Sequence, residues 1–330
     1  MTRRAFGIAS TLSALTLPMS INVPADAMRR IEGSGVSLNT STLNLRYRHV
    51  DVFSHELMSG NGLTVFETDR ALTPALMQSI TREMRQFETI FLTPTEEQQR
   101  VRARVFTMEE ELDFAGHPLL GAAALLHERR FPRKPSVVWT IELQKKTVPV
   151  TTTRQGVCYR AEMDQGVAHF GHVLTDAEAK TFLRALNLQD NQLSPQFPLQ
   201  QVSTGLPYLI VPITSGLENA RIIQPGFESL LATVGAKFVY VFDLVQNEGR
   251  TWDNQGLVED IATGSAAGPI GAYLVKYGAR KANQQIVLSQ GRFVGRSSLL
   301  YVTVTMQSDE AHGVLVAGDV RPIASGQFGS

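Results

Sequence analysis

Three short segments hold residues able to move a proton or grip an anion. Glu88, in QFETIFL, stands at the head of an apolar run, where a carboxylate is seldom placed unless it is paired or exposed. His117, in DFAGHPLLG, follows Gly116 and leads into a train of small apolar residues. Asp260, in EDIATGSAAGPIGAYL, comes just before Gly264, Ser265 and a second such train. Carboxyl and imidazole groups are general acids and bases. At a helix start the first backbone N–H groups lack intrahelical partners, and the helix dipole favours negative charge. A glycine there admits a ligand to the backbone and a serine adds a hydroxyl, so both turns suit a carboxylate or a phosphate. Plainer roles stay open: Glu88 exposed at a strand end, His117 capping a helix, Asp260 as an N-cap or turn residue. Ser265, His117 and Asp260 also have the residue types of a hydrolase triad, although TGSAAG is not a GxSxG elbow. A non-catalytic binding protein is the third reading.

The elements that must position these residues follow from periodicity. Alternation predicts strands in LRYRHVDVF, LTVFET, ETIFLTP, QRVRARVFT, SVVWTIEL, KTVPVTTT and VCYRAEM. Thr73-Pro74 opens a helix with Leu76, Ile80 and Met84 on one face. GHPLLGAAALLHERR reads as a buried helix that ends in basic residues. The second half repeats this order, with DAEAKTFLRALNL and FESLLATVGA helical, QQVSTGLPYLIVPI a strand pair around a Gly-Leu-Pro turn, and strands from QQIVLSQG to the C-terminus. GHPLLGAAALL lies about 150 positions before GSAAGPIGAYL. A helix that is small and apolar all round is crowded on every side. The fold class is therefore α+β, with two pseudo-symmetric lobes at 45–165 and 166–330, each a curled sheet wrapped around a central helix, and with strand exchange between lobes allowed. A small-molecule pocket between the lobes would join the two Gly-led turns.

Composition narrows the function. Of 330 residues, 43% are hydrophobic and 19% charged, with 31 acidic and 31 basic side chains, so nothing calls for nucleic acid or an anionic membrane. Cys158 is the single cysteine, which excludes an internal disulfide and any mechanism needing two thiols. The seven histidines form no HExxH or HxH pattern; His169 and His172 could meet on a helix, but no acid stands nearby, and no metal site is expected. The N-terminus has Arg3 and Arg4, a mildly apolar stretch from Phe6 to about Ile21, and the small-x-small sequence ADA at 25–27. That layout predicts a signal peptide over 1–27, of twin-arginine type, with a polar linker over 28–44 and a periplasmic or secreted destination; a cytoplasmic location is the alternative. The apolar run is too short for a membrane span.

HVDVFSHELMSGNGLTVF, ETIFL, RVFTMEEELDFAGHPLLGAAALL, VSTGLPYLIVPI, EDIATGSAAGPIGAYL and QGRFVGRSSLLYV, in this order, resemble the successive motifs of the PhzF-like isomerases of phenazine biosynthesis. The resemblance implies a diaminopimelate epimerase-like fold, a homodimer, and a cofactor-free, metal-free isomerisation of a small carboxylated substrate. It implies that Glu88 shuttles a proton, that His117 and Asp260 orient substrate and tune that carboxyl, and that Gly116, Gly264 and Ser265 bind substrate. The family's best-known reaction isomerises trans-2,3-dihydro-3-hydroxyanthranilate, moving a proton from C3 to C1. Two-thiol epimerases are excluded by the single cysteine. Four positions depart from the family pattern: Gly62, Ile261 and Ser297 stand where proline is usual, and Phe87 where serine often is. These bear on the substrate more than on the chemistry.

Overall fold

A computed structural model describes residues 44–307 and 310–329. The signal peptide expected over 1–27 and nearly all of the linker expected over 28–44 lie outside the described residues. The first lobe is built from β1 (Leu45–Val52), β2 (Asn61–Glu67), α1 (Pro74–Met84), β3 (Glu88–Pro94), β4 (Arg100–Phe106), the short β5 (Glu111–Leu112), α2 (His117–Arg130), β6 (Ser136–Glu142), β7 (Thr147–Gln155) and β8 (Cys158–Asp164). The second contains β9 (His169–Val173), α3 (Asp176–Ala185), β10 (Gln200–Ser203), β11 (Pro207–Ile213), α4 (Phe227–Ala232), β12 (Phe238–Asp243), β13 (Glu248–Arg250), α5 (Gly264–Lys276), β14 (Gln285–Gln290), β15 (Ser298–Gln307) and β16 (Glu310–Phe328). All the strands belong to one sheet, ordered β1-β2-β3-β4-β6-β7-β8-β16-β15-β14-β13-β12-β11-β10-β9 with β5 on β4. The last strand closes the first lobe: β16 pairs with both β8 and β1 there, and with β15 in the second lobe.

Each lobe curls around its Gly-led helix. α2 is buried from His117 to His127, and α5 is buried at Gly264 and from Ala266 to Leu274. Val50, Val52, Leu63, Ile90, Trp139 and Val150 face α2, and Val302, Val304 and Val316 belong to the same core on the α5 side. Small side chains on both helices let the strands close in on every side. α1, capped by Thr73 with Pro74 at its first turn, covers the outer face of the first lobe with Met77 and Ile80 against Phe66, Phe91 and Phe106. α3 carries a capping box of Thr175 and Glu178, and with α4 it covers β11 and β12 of the second lobe through Phe182, Leu183, Phe227 and Leu231.

Most predicted strands and helices form within one or two residues of their expected ends, while the helices expected in DAEAKTFLRALNL and FESLLATVGA stop three and four residues early, at Ala185 and Ala232. Two further points differ. β9, β13 and β5 were not expected, being short segments in which periodicity is weak. His169 and His172 lie on the edge strand β9 and not on a helix, and an acid does stand nearby, since His172 Nε2 is 3.0 Å from the Glu178 carboxylate. Among the described residues no group of three or more His, Cys, Asp or Glu side chains is placed to hold a metal, and no helix is long and apolar enough to cross a membrane.

The tightness of the α5 packing is testable. A Cβ on Gly271 would lie 2.4 Å from Val302 Cγ1 and 3.1 Å from its Cβ. Alanine in a helix gains about 1 kcal/mol over glycine, but a β-branched strand residue has little rotamer freedom to retreat, and overpacking costs about 1–3 kcal/mol. Gly271→Ala is expected to lower stability in urea unfolding by up to about 2 kcal/mol.

Candidate active site

β3 places the first of the candidate residues. Glu88 opens the strand, and Glu88, Ile90 and Leu92 alternate onto the buried face while Phe91 turns to α1. The other two stand at helix starts. His117 is the first residue of α2, after Gly116. Asp260 lies in the turn before Thr263, the residue that precedes α5. The two helix starts meet: a Cβ on Gly116 would lie 2.9 Å from Ser265 N, and one on Gly264 would lie 3.2 Å from His117 N. Only glycine permits this approach, and it brings unpaired N–H groups of opposite lobes to one place. All six residues singled out in the sequence, Glu88, His117, Asp260, Gly116, Gly264 and Ser265, therefore gather at the lobe junction.

The three titratable residues are almost sealed from solvent, Glu88 at 7%, His117 at 4% and Asp260 at 6% exposure. His117 Nδ1 is 3.1 Å from Glu88 Oε2, and His117 Nε2 has no hydrogen-bond partner among the described residues. Asp260 is densely served. Asn61 Nδ2 donates to its Oδ1 at 2.8 Å and Thr263 Oγ1 to its Oδ2 at 2.6 Å. Gln290 fixes the turn beneath it, donating to Asp260 O at 2.8 Å and to Thr263 Oγ1 at 3.0 Å, and Tyr240 OH donates in turn to Gln290 Oε1 at 2.9 Å. Gln165, bridging from β8, donates to Gly264 O at 2.8 Å and accepts from Thr204 Oγ1 at 2.7 Å.

The electrostatics follow from burial. Burial and then the Asp260 charge push the Glu88 carboxyl up from 4.5 to about 8. Burial pushes the His117 imidazole down from 6.5 to about 3. Burial also raises Asp260, against the hydrogen bonds from Thr263 and Asn61 that favour its charge. A neutral imidazole beside a protonated glutamic acid is thus the resting pair at neutral pH.

The plainer roles fall away for Glu88, which is buried, and for His117, which faces Glu88. The triad is also unmade: Ser265 Oγ lies 2.7 Å from Tyr208 OH, while His117 and Asp260 have the partners just named. Sequence reasoning missed Asn61, Tyr208, Thr263 and Gln290. A signal existed for Gln290, which continues the inward alternation of Ile286 and Leu288 and puts an amide where an apolar side chain is the rule. A groove of about 920 Å³ lies elsewhere, at the outer edge of the first lobe between Arg46, Glu67, Arg129 and Gln327.

Comparison with known proteins now gives this site a family. Residues 50–326 match the family model described as phenazine biosynthesis-like protein. The chain is 31% identical over 285 residues to the trans-2,3-dihydro-3-hydroxyanthranilate isomerase of Pseudomonas chlororaphis, covering 83% of this chain and 95% of that one. A solved predicted epimerase of Pseudomonas aeruginosa is 48% identical, with a TM-score of 0.81 over 86% of this chain and 99% of that one. A probable proline racemase of Agrobacterium radiobacter shares the fold at 15% identity, with a TM-score of 0.58 over 86% and 92% of the two chains. With relatives named as isomerases and an epimerase-like fold of two lobes, this chain is an isomerase. The chain belongs to the phenazine biosynthesis-like protein family.

The opposed shifts predict how stability depends on pH. The folded state holds an extra proton on Glu88 between about pH 4.5 and 8 and lacks one on His117 between about pH 3 and 6.5. Stability falls with rising pH through the first window and rises through the second. The two effects offset each other between about 4.5 and 6.5, leaving a net fall from about 6.5 to 8. Glu88→Gln removes the first effect alone. The stability difference between Glu88→Gln and the parent, followed by urea unfolding, is expected to move in favour of the variant from about pH 4.5 to 8 and to level off above that.

Proposed function

We propose that this isomerase moves a proton between two carbons of a small carboxylated substrate, with Glu88 as the one group that both accepts and returns it. The observation that carries the reading is a glutamic acid sealed in the lobe junction, 3.1 Å from a histidine and raised to about 8 by burial and by the Asp260 charge. A carboxyl titrating near working pH is an adequate base before the transfer and an adequate acid after it. About a tenth of it is ionised at pH 7. The ionised form takes the proton from the first carbon, the electron pair shifts through the substrate's π system, and the new carboxylic acid protonates the second carbon. Atoms and charge balance without a further reactant.

The remaining residues hold the substrate to that path. The helix-start N–H groups at Gly116, Gly264 and Ser265 suit the substrate carboxylate. His117 Nε2, without a hydrogen-bond partner among the described residues, is free to bond substrate, while its Nδ1 orients Glu88. Asp260 stays ionised, keeps the Glu88 proton in place and orients a substrate donor. The relatives named for trans-2,3-dihydro-3-hydroxyanthranilate make that compound the first substrate to try. A homodimer is in keeping with the family resemblance, and the N-terminal arginine pair is the ground for proposing export. Ser265-based hydrolysis is not supported, because Ser265 pairs with Tyr208.

Two outcomes follow. With trans-2,3-dihydro-3-hydroxyanthranilate, or a substrate found by screening metabolites, in D2O, product is expected to gain deuterium at the newly protonated carbon, and Glu88→Gln to lower kcat by about 10²–10⁴. Full activity in that variant contradicts the proposal. The parent kcat/KM is expected to rise with pH and level off above about 8, where Glu88 is ionised.

A further inference from the structure

The motif residue Arg296 takes no part in the chemistry above, yet its guanidinium reaches across the lobe junction. It sits at the end of a tight connection between β14 and β15, closed by Arg296 N donating to Gly291 O at 3.0 Å, with Gly291 and Gly295 at φ of +89° and +72°. On the first lobe its Nε donates to Gly60 O at 2.8 Å and its Nη2 to Ser59 O at 3.1 Å. Gly60 N returns a bond to Ser297 O at 3.2 Å. Gly60 itself has little room to shift: its φ is +75°, and a Cβ there would lie 2.4 Å from Val52 O.

Asp51 is the counter-charge. Its carboxylate is buried and lies 2.7 Å from Arg296 Nη2, with His49 Nε2 further off at 3.8 Å. Across the strand pair Arg321 stands opposite Asp51, but its guanidinium donates to Ser54 O and His55 O. Asp51 thus holds Arg296, Arg296 holds the two carbonyls, and the next residue along is Asn61. The same connection begins at Gln290, which supports Asp260 from beneath. Both donors that frame the Asp260 turn from opposite lobes therefore depend on this one segment. Two of the departures from the family pattern lie against it: Ser297 contributes the carbonyl to Gly60, and Ile261 O would lie 2.6 Å from a Cβ on Gly291.

We infer that Arg296 is a positioning residue: by fastening the Ser59 and Gly60 carbonyls across the lobe junction, it sets where Asn61 presents its amide to Asp260. This rests on the assignment of Asp260 to the reacting cleft. A lysine in its place would keep a charge for Asp51 but could not reach both carbonyls with one planar fork. Simple loss of the charge would leave Asp51 buried and unpaired and could unfold the protein, so the neutral double variant Asp51→Asn/Arg296→Met serves beside Arg296→Lys.

The test needs no substrate. The Asn61 side-chain amide is followed by 15N NMR in the full chain. In both variants it is expected to move towards the position of a solvated asparagine, and Asn61→Ala identifies the signal. An unmoved amide in a folded variant with a lower melting temperature overturns the inference, because it leaves Arg296 a stabilising role only. Turnover gives a second readout: Arg296→Lys is expected to lower kcat by roughly tenfold or more, as loss of one bond to a charged group would, and to have little further effect in Asn61→Ala. Multiplying losses also overturn it. If the amide moves while Glu88→Gln keeps full turnover, the Arg296 link stands and the Glu88 reading fails.

Discussion

Two carboxyl groups enclosed in one dry cleft cannot both ionise cheaply, and the structure depends on how it divides one charge between them. The division is made by donors. Asp260 receives an amide and a hydroxyl, at 2.8 and 2.6 Å, while the polar partner of the Glu88 side chain among the described residues is a histidine kept neutral by burial. Hydrogen bonds favour the charged form of Asp260 against the effect of its burial, while burial and the Asp260 charge hold the proton on Glu88 up to about pH 8. A pair of carboxyls whose environments push them apart has assigned roles before any substrate arrives. Placing donors on both groups would erase the difference and leave no acid poised to give up and take back a proton near neutral pH.

The scaffold serves that division. Two lobes carry one helix start each to a common point, and the approach of Gly116 to Gly264 sets the spacing. Small residues along α2 and α5 let the sheet enclose both helices, which is what keeps water from the acids. β16 joins the lobes by pairing on both sides of the junction, so the sheet runs unbroken from one lobe into the other. Cross-lobe hydrogen bonds from Asn61 to Asp260 and from Arg296 to Gly60 then hold the loops that strands cannot reach.

Much of this was legible in the sequence. Gly116-His117-Pro118 and Gly264-Ser265 marked two helix starts, the small residues after them marked central helices, and the motif order brought Glu88, His117 and Asp260 into one site. What stayed hidden was long-range. Asn61 and Asp260 are 199 positions apart, Arg296 and Gly60 are 236 apart, and no local periodicity reports on such pairs. Asn61 and Arg296 sit inside motifs quoted for the resemblance, but their partners are visible only once the lobes close on each other. The β9 strand was hidden for a different reason: an edge strand with mostly exposed side chains has no buried face to impose alternation.

The most direct measurement is a 13C NMR titration of the two side-chain carboxyls in the intact protein, with Glu88→Gln and Asp260→Asn to assign them. The pair is predicted to titrate as a coupled system in which Asp260 is ionised through neutral pH, while the Glu88 carboxyl stays protonated and ionises near pH 8. A Glu88 carboxyl already ionised at pH 5, or the reverse order with Asp260 holding the proton at neutral pH, would contradict the account.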